Sequence, residues 1–386
     1  MTEKEDKIRV YRGLKGVHFD RSPTTYIDGR KGELRYWGYS IHDLAAHSSF
    51  EETAYLLLHG ELPNASQLEA FVNELVIGRH LPDAILDLIS IIRNGHPMSV
   101  LRTAVSALAD FDPDTNDNSR EAVMRKTLRL ASQVPAIVAA HQRIRAGLDV
   151  IKADPALGHA ANFLYMLKGE RPSEDAARLM DLDLILHAEH GSNASSFTAR
   201  VVTSTDANLH AALTAAIATL SGPAHGGAAE DVMRMARDIG DPAEAANYVK
   251  RKRANKEAIM GFGHRVYRAE DPRARHLKEG VERLSVEMGQ PHWNAILQAL
   301  VAAMQPYSRL GVNVNVDFYS GVIYHLHGIP EDMFVPIFAV GRVPGWCLQV
   351  LQQMDNNILI RPLLEYNGPG LRTYEPIENR NSTTNG

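Results

Sequence analysis

The segment Gly261-Phe-Gly-His-Arg-Val-Tyr-Arg-Ala-Glu-Asp-Pro-Arg273 sets a histidine in a glycine-flexed loop and an arginine nine residues later. Gly261 and Gly263 let the backbone approach a ligand closely, His264 can hydrogen-bond a carbonyl or shuttle a proton near neutral pH, and the planar Arg273 fork matches a carboxylate. Such a set suits a polar carbonyl compound that carries carboxylates. Alone, a glycine-rich loop beside a charge is more often a turn than a site. Two further segments raise its standing: Gly222-Pro-Ala-His-Gly-Gly-Ala228 holds His225, and Asn313-Val-Asn-Val-Asp-Phe-Tyr-Ser-Gly321 holds Asp317. With His190, a carboxylate beside glycine-flanked histidines suits removal of a carbon-bound proton next to a carbonyl, the base taking the proton while hydrogen-bond donors hold the enolate oxygen.

Rival chemistries fare worse. His187-Ala-Glu-His190 offers two histidines at helical spacing, but two ligands make no metal site and no HExxH arrangement or suitable carboxylate pair accompanies them. The nucleophile elbow G-x-S-x-G, the phosphate loop and the dinucleotide fingerprint are missing from the sequence. The single cysteine, Cys347, excludes an internal disulfide and a cysteine-based zinc cluster and fits a reducing compartment.

The elements that must position these residues read as helices. Leu68, Phe71, Val72, Leu75 and Val76 recur at helix spacing behind a Ser66-x-x-Glu69 capping box. Ser49-Phe-Glu-Glu52 with a stop at Gly60, and the stretch from Ser173 through Leu186, give similar signals. Only Thr25 to Trp37 reads as a β-hairpin. Alternating strand and helix units are absent, which argues against a doubly wound nucleotide-binding fold, and no fixed-period repeat suggests a solenoid. At 386 residues two domains are expected. The breaks at Gly222-Pro223 and Gly328-Ile-Pro330 predict a large helical domain from 1–222 and 328–386 and a smaller one from 223–327, with a frayed polar tail from Glu378.

Hydrophobic residues at 45%, charged residues at 23% and a net charge of −5 describe an ordinary soluble protein without a basic footprint for nucleic acid. The cluster Lys250-Arg-Lys-Arg253 reads by default as a solvated helix face, with room for a phosphate-bearing ligand. The N-terminus lacks secretory and transit character, and the apolar run after Met333 is broken by Arg342. A cytoplasmic protein without a membrane segment is expected, so the sequons at Asn193 and Asn381 carry no message.

Taken in order, the three motifs resemble the citrate synthase family, specifically the short bacterial and archaeal type that includes 2-methylcitrate synthases. Further matching stretches run through nearly the whole chain: Tyr26-Ile-Asp-Gly-Arg30, Gly38-Tyr-Ser-Ile41, His96-Pro-Met98, His159-Ala-Ala-Asn-Phe-Leu164, Asn193-Ala-Ser195, Gly341-Arg342 with Gly345-Trp346, and Ile360-Arg-Pro362. The resemblance implies an all-α, two-domain homodimer with a short N-terminal β-hairpin, whose large domain makes the subunit contact and whose small domain closes over acyl-CoA. It implies a transferase of the tricarboxylic acid cycle that condenses acetyl-CoA with oxaloacetate and water to citrate and CoA, with the acyl-CoA as co-substrate and no permanently bound cofactor.

The same resemblance assigns roles. Asp317 would remove the methyl proton, His225 would stabilise the enol, and His264 would polarise the ketone. His190, Arg273 and Arg342 would hold the oxaloacetate carboxylates, joined by Arg361 from the partner subunit. Lys252, Lys256 and Arg268 would meet the CoA phosphates, and Gly261, Phe262 and Gly263 would line the CoA cradle. The chain departs from the family pattern at Gly191, where many members carry an acidic residue. The alternatives are a 2-methylcitrate synthase using propionyl-CoA and, more remotely, an inactive helical interaction protein. One extra methylene is worth only about 1–3 kcal/mol in a pocket, so sequence separates the two acyl-CoAs poorly.

Overall fold

The computed structural model describes residues 9–380. Residues 22–359 form one compact unit and the two chain ends form another. Within the described residues the end segments carry only short 3-10 turns, Arg12–Leu14 and Ile377–Asn379. Most of the expected tail, the sequon at Asn381 and the charged N-terminus lie outside the described residues.

The compact unit starts with a small antiparallel sheet in the order β1 (Thr25–Asp28), β2 (Glu33–Tyr36), β3 (Tyr39–Ser40). Tyr26 faces Arg35 and Ile27 faces Leu34 across the hairpin, while Leu34 and Tyr36 of β2 are buried on one face. The expected two-stranded hairpin therefore gains a third strand, because the chain reverses at Trp37-Gly38, where both residues have positive φ.

Sixteen α-helices follow among the described residues. The first seven are α1 (Ile41–His47), α2 (Phe50–His59), α3 (Ala65–Ile77), α4 (Asp83–Ile91), α5 (Pro97–Leu108), α6 (Arg120–Arg145) and α7 (His159–Lys168). Then come α8 (Glu174–His187), α9 (Ala194–Thr203), α10 (Leu209–Leu220), α11 (Ala228–Ile239) and α12 (Ala245–Ala254). The last are α13 (Ala274–Glu287), α14 (Pro291–Met304), α15 (Asp317–Leu326) and α16 (Phe334–Asp355). The all-α expectation holds.

Local chemistry explains most boundaries. Ser49 caps α2 by accepting from the Glu52 N–H, and Gly60 ends it at φ 88°. Ser173 caps α8. The capping box of α3 is not Ser66 with Glu69 but Asn64 with Gln67: the Asn64 side chain accepts from the Gln67 N–H and the Gln67 side chain accepts from the Asn64 N–H. Asn is as good an N-cap as Ser, and the helix starts one residue earlier than Ser66.

The helix α16 is the centre of the core. It packs on α6, α8, α9 and α10, and all of Phe334 to Pro336 and Ala339 to Val350 is buried. With the turn before it, the span Glu331–Asp355 is long and apolar enough to cross a membrane by length and composition, yet 94% of its most apolar window lies inside the protein. Burial on every side accounts for that apolarity.

Candidate active site

The end of α8 carries His187 and the turn from it to α9 carries Glu189 and His190, all buried. His187 turns its Nδ1 to the Asp183 carbonyl at 2.8 Å, whereas His190 Nε2 meets the Tyr267 hydroxyl at 3.0 Å, so the two rings take different partners. Gly191 follows at φ 56°, a conformation that a side chain would strain. The acidic group at this turn is the preceding residue: Glu189 Oε1 accepts from Gln349 Nε2 at 2.9 Å and Thr25 Oγ1 at 3.3 Å, while Oε2 is buried without a partner. Burial raises the Glu189 pKa to about 7 against the pull of Arg342.

The N-terminal sheet braces this turn. Tyr36 donates its hydroxyl to the Glu189 carbonyl at 2.7 Å and accepts from the Glu189 N–H at 3.2 Å. At the hairpin tip the Gly29 carbonyl accepts from Arg268 N–H at 2.7 Å, and a Cβ on Gly29 would lie 2.2 Å from the Val266 carbonyl oxygen. The hairpin thus grips both histidine segments.

Arg342 arrives from α16. Its helix approaches the α8 terminus closely because Gly345 has no side chain: a Cβ there would lie 2.1 Å from the Ala188 carbonyl oxygen and 2.5 Å from Glu189 Oε2. Arg342 donates its Nε–H to the His187 carbonyl and stacks on Phe338 at 4.7 Å. It is 1% exposed, and among the described residues no carboxylate comes within ion-pair distance. Burial lowers its pKa to about 10. Arg273, also buried, has a carboxylate partner on one side: Nε and Nη2 donate to Asp271 at 2.9 and 2.7 Å.

The loop of His264 and the segment of Asp317 are laced together. Gly263 N–H donates to the Asn313 carbonyl at 2.7 Å, Asn315 N–H donates to the Gly261 carbonyl at 2.9 Å, and the Val316 N–H reaches Asp271 Oδ2 at 3.3 Å. Phe262 and Val314 form an antiparallel bridge. Gly261 is required: its φ is 75°, and a Cβ would lie 2.6 Å from the Phe318 ring. Asp317, half-buried at the start of α15, has its pKa raised by burial, opposed by His187 and Arg273.

Hydrogen bonds fix the ring protons by inference. His264 Nδ1 accepts from the N–H groups of Val266 and Tyr267 at 3.0 and 3.2 Å, which leaves its proton on Nε2. His225 Nε2 accepts from the Ser195 N–H, in the first turn of α9, at 3.3 Å, which leaves its proton on Nδ1. The Ser195 hydroxyl lies 2.8 Å from the same Nε2 and accepts from Trp346 Nε1 at 3.0 Å. Burial first, then the nearby guanidinium, lowers both histidines to about 4: Arg342 acts on His225 and Arg273 on His264. Both rings are neutral donors at pH 7. Arg273 also acts on His190 and Asp317, so the two guanidiniums tie His190, His225, His264 and Asp317 into one electrostatic neighbourhood.

The remaining sequence candidates have these surroundings. Arg361 is exposed and belongs to the terminal unit. Lys252 pairs with Glu257 at 2.5 Å, Arg253 stacks on Tyr307 at 4.6 Å, and Lys256 is exposed at φ 59°. Arg268 is exposed and donates from Nη1 to the His264 carbonyl at 3.4 Å. Residues that sequence reasoning left without a role are Tyr36, Glu189, Ser195, Tyr267 and Asp271. Two cavities lie elsewhere, one of about 420 Å³ beside Glu51, His159 and Asp181 and one of about 510 Å³ beside Tyr55, His59 and Phe71.

Residues 13–363 match the family model described as the citrate synthase C-terminal domain. The citrate synthase of Haloferax volcanii is 43% identical over 96% of this chain and 98% of its own. The 2-methylcitrate synthase 2 of Corynebacterium glutamicum is 41% identical over 96% and 98%. The citrate synthase of Thermoplasma acidophilum, solved as a ternary complex with carboxymethyl coenzyme A and oxaloacetate, superposes with a TM-score of 0.90 at 31% identity, covering 96% of this chain and 100% of that one. A match of this length in sequence and in fold leaves one assignment: the chain belongs to the citrate synthase family, enzymes of the acyltransferase type.

Proposed function

We propose that the chain condenses acetyl-CoA with oxaloacetate, with Asp317, His225 and His264 as the reacting groups. The observation that carries the reading is the pair of buried guanidiniums with a single carboxylate, Asp271, in ion-pair contact between them. Arg342 has no carboxylate in ion-pair contact among the described residues, so an oxaloacetate carboxylate can meet its guanidinium in the bidentate geometry that arginine favours.

Asp317 is the base: its raised pKa makes it a stronger acceptor for the methyl proton of the thioester than an ordinary carboxylate. His225 donates Nδ1–H to the thioester oxygen as the enol forms; burial and then Arg342 keep it neutral, and the Ser195 N–H occupies Nε2. His264 donates Nε2–H to the oxaloacetate ketone; when the enol carbon attacks, that proton passes to the new alkoxide oxygen. A neutral imidazole can serve as such an electrophile. Water then cleaves the citryl thioester: its hydroxyl adds to the acyl carbon, its other proton returns to His264, and the proton held by Asp317 goes to the leaving thiolate, giving citrate and CoA.

Segment 223–327 is the moving part in this reading, closing over the acyl-CoA so that water is excluded before the enol forms. Arg268, with Lys252 released from Glu257 and Lys256 beside it, faces the CoA phosphates, and Gly261 to Gly263 present backbone to the pantetheine. The working form is a cytoplasmic homodimer in which Arg361 of each chain completes the other's oxaloacetate site.

The test is release of free thiol from acetyl-CoA by the purified protein, with and without oxaloacetate. Release that needs oxaloacetate supports the reading; equal release without it contradicts it. Because 2-methylcitrate synthases are nearly as similar, kcat/KM is measured for propionyl-CoA as well, and a clear propionyl preference would move the assignment to that activity.

A further inference from the structure

Tyr267 lies in the His264 loop, is 1% exposed, and meets both the His190 and the His264 rings, at centroid distances of 5.5 and 4.8 Å, in a cluster where those two rings also touch at 5.3 Å. Its hydroxyl has one hydrogen-bond partner among the described residues, His190 Nε2 at 3.0 Å. A buried phenol that accepts from Nε2 leaves its own proton without an acceptor, whereas a phenol that donates to Nε2 satisfies it. Arg273 stands close to Tyr267, His190 and His264, and burial first, then this positive charge, keeps the His190 ring neutral. A neutral imidazole holds one ring proton, so its position depends on what Nε2 does.

We infer that Tyr267 is a positioning residue that donates to His190 Nε2, fixes the His190 proton on Nδ1, and so makes Nδ1–H the group that reaches the substrate carboxylate. This rests on the site proposed above. The burial and hydrogen bonding of the two rings carry it. The raised phenol pKa, caused chiefly by burial, keeps the proton on Tyr267 at every working pH. The wider consequence is a coupling between the two histidines: the backbone N–H of Tyr267 holds His264 Nδ1 at 3.2 Å while its side chain holds His190, so one residue sets both donor edges.

Tyr267→Phe tests it, since the phenyl ring keeps the packing on both histidines and removes only the hydroxyl. The expected result is a KM for oxaloacetate raised about tenfold, the loss of one hydrogen bond's worth of orientation, with KM for acetyl-CoA unchanged within about twofold and kcat lowered less than about threefold. An unchanged or lower oxaloacetate KM would overturn the inference, the second outcome meaning that the phenol competes with substrate. A second measurement stands apart from turnover: in protein labelled with 15N-histidine, His190 Nε2 should give an acceptor-type shift in the wild type and exchange between tautomers in the variant. A protonated Nε2 in the wild type would sink the inference even in an active enzyme, and an acceptor-type Nε2 upholds it even if oxaloacetate-dependent thiol release fails.

Discussion

Two regions of the molecule gather arginines, one near the surface and one in the core, and they treat them in opposite ways. On α6, facing the loop before it, Arg129 donates to Asp112 at 2.6 and 2.9 Å and to Asp114 at 2.6 Å, while Arg125 donates to Asp114 at 2.5 and 3.1 Å. Every guanidinium there has carboxylates to match, and they hold the Asp114 carboxyl well below its usual range. Against the α8 to α9 turn, Arg342 of α16 is more deeply buried and has no carboxylate in ion-pair contact among the described residues. The loop before α6 is satisfied in itself and therefore structural. At the turn the buried guanidinium is held by the His187 carbonyl, the Phe338 ring and the field of Glu189, and a bound anion would offset the rest of its desolvation cost.

That contrast can be broken by substitution. Asp317→Asn should give the largest effect, lowering kcat by roughly 10²–10⁴-fold, the range for loss of a general base, while leaving oxaloacetate binding intact. Steady-state rates beside a binding isotherm check both halves; turnover near the wild-type level would remove Asp317 from the mechanism. A smaller effect follows from pH. The base must be ionised and its pKa is raised, so kcat/KM should fall as pH drops through a value above the ordinary carboxylate range, while His225 and His264 add nothing until about pH 4. In Asp317→Asn the acid limb should vanish from the residual rate. The smallest effect belongs to the paired region: Arg129→Met should lower the thermal midpoint by roughly 1–3 °C and leave KM for oxaloacetate unchanged. A change in that KM would mean that the two regions are not separable in the way their pairing suggests.

The sequence made the helical class legible, because apolar spacing and the caps at Ser49, Gly60 and Ser173 are local signals. It also singled out His225, His264 and Asp317, each flanked by glycine or asparagine in a short motif. What it could not carry was pairing. The difference between Arg273, held by Asp271, and Arg342, held by a carbonyl, arises from contacts across 155 residues in the second case. The bracing of Glu189 by Tyr36 spans 153 residues and looks in sequence like one more inward position of a hairpin. Gly191 appeared as a departure, and the backbone shows why glycine suits it: φ is positive there. The misplaced capping box at Ser66 came from two overlapping cap patterns one turn wide, which only the side-chain hydrogen bonds of Asn64 and Gln67 separate.

Arg342 is, on this reading, a buried cation that receives the substrate's carboxylate. Thermal unfolding of the wild type, Asp317→Asn and Arg342→Gln with and without oxaloacetate tests it most directly. A ligand at a hundred times its dissociation constant stabilises the folded state by about 2.7 kcal/mol. The account predicts a clear upward shift of the midpoint for the wild type and for Asp317→Asn and none for Arg342→Gln at the same concentration. An equal shift in all three proteins would contradict it.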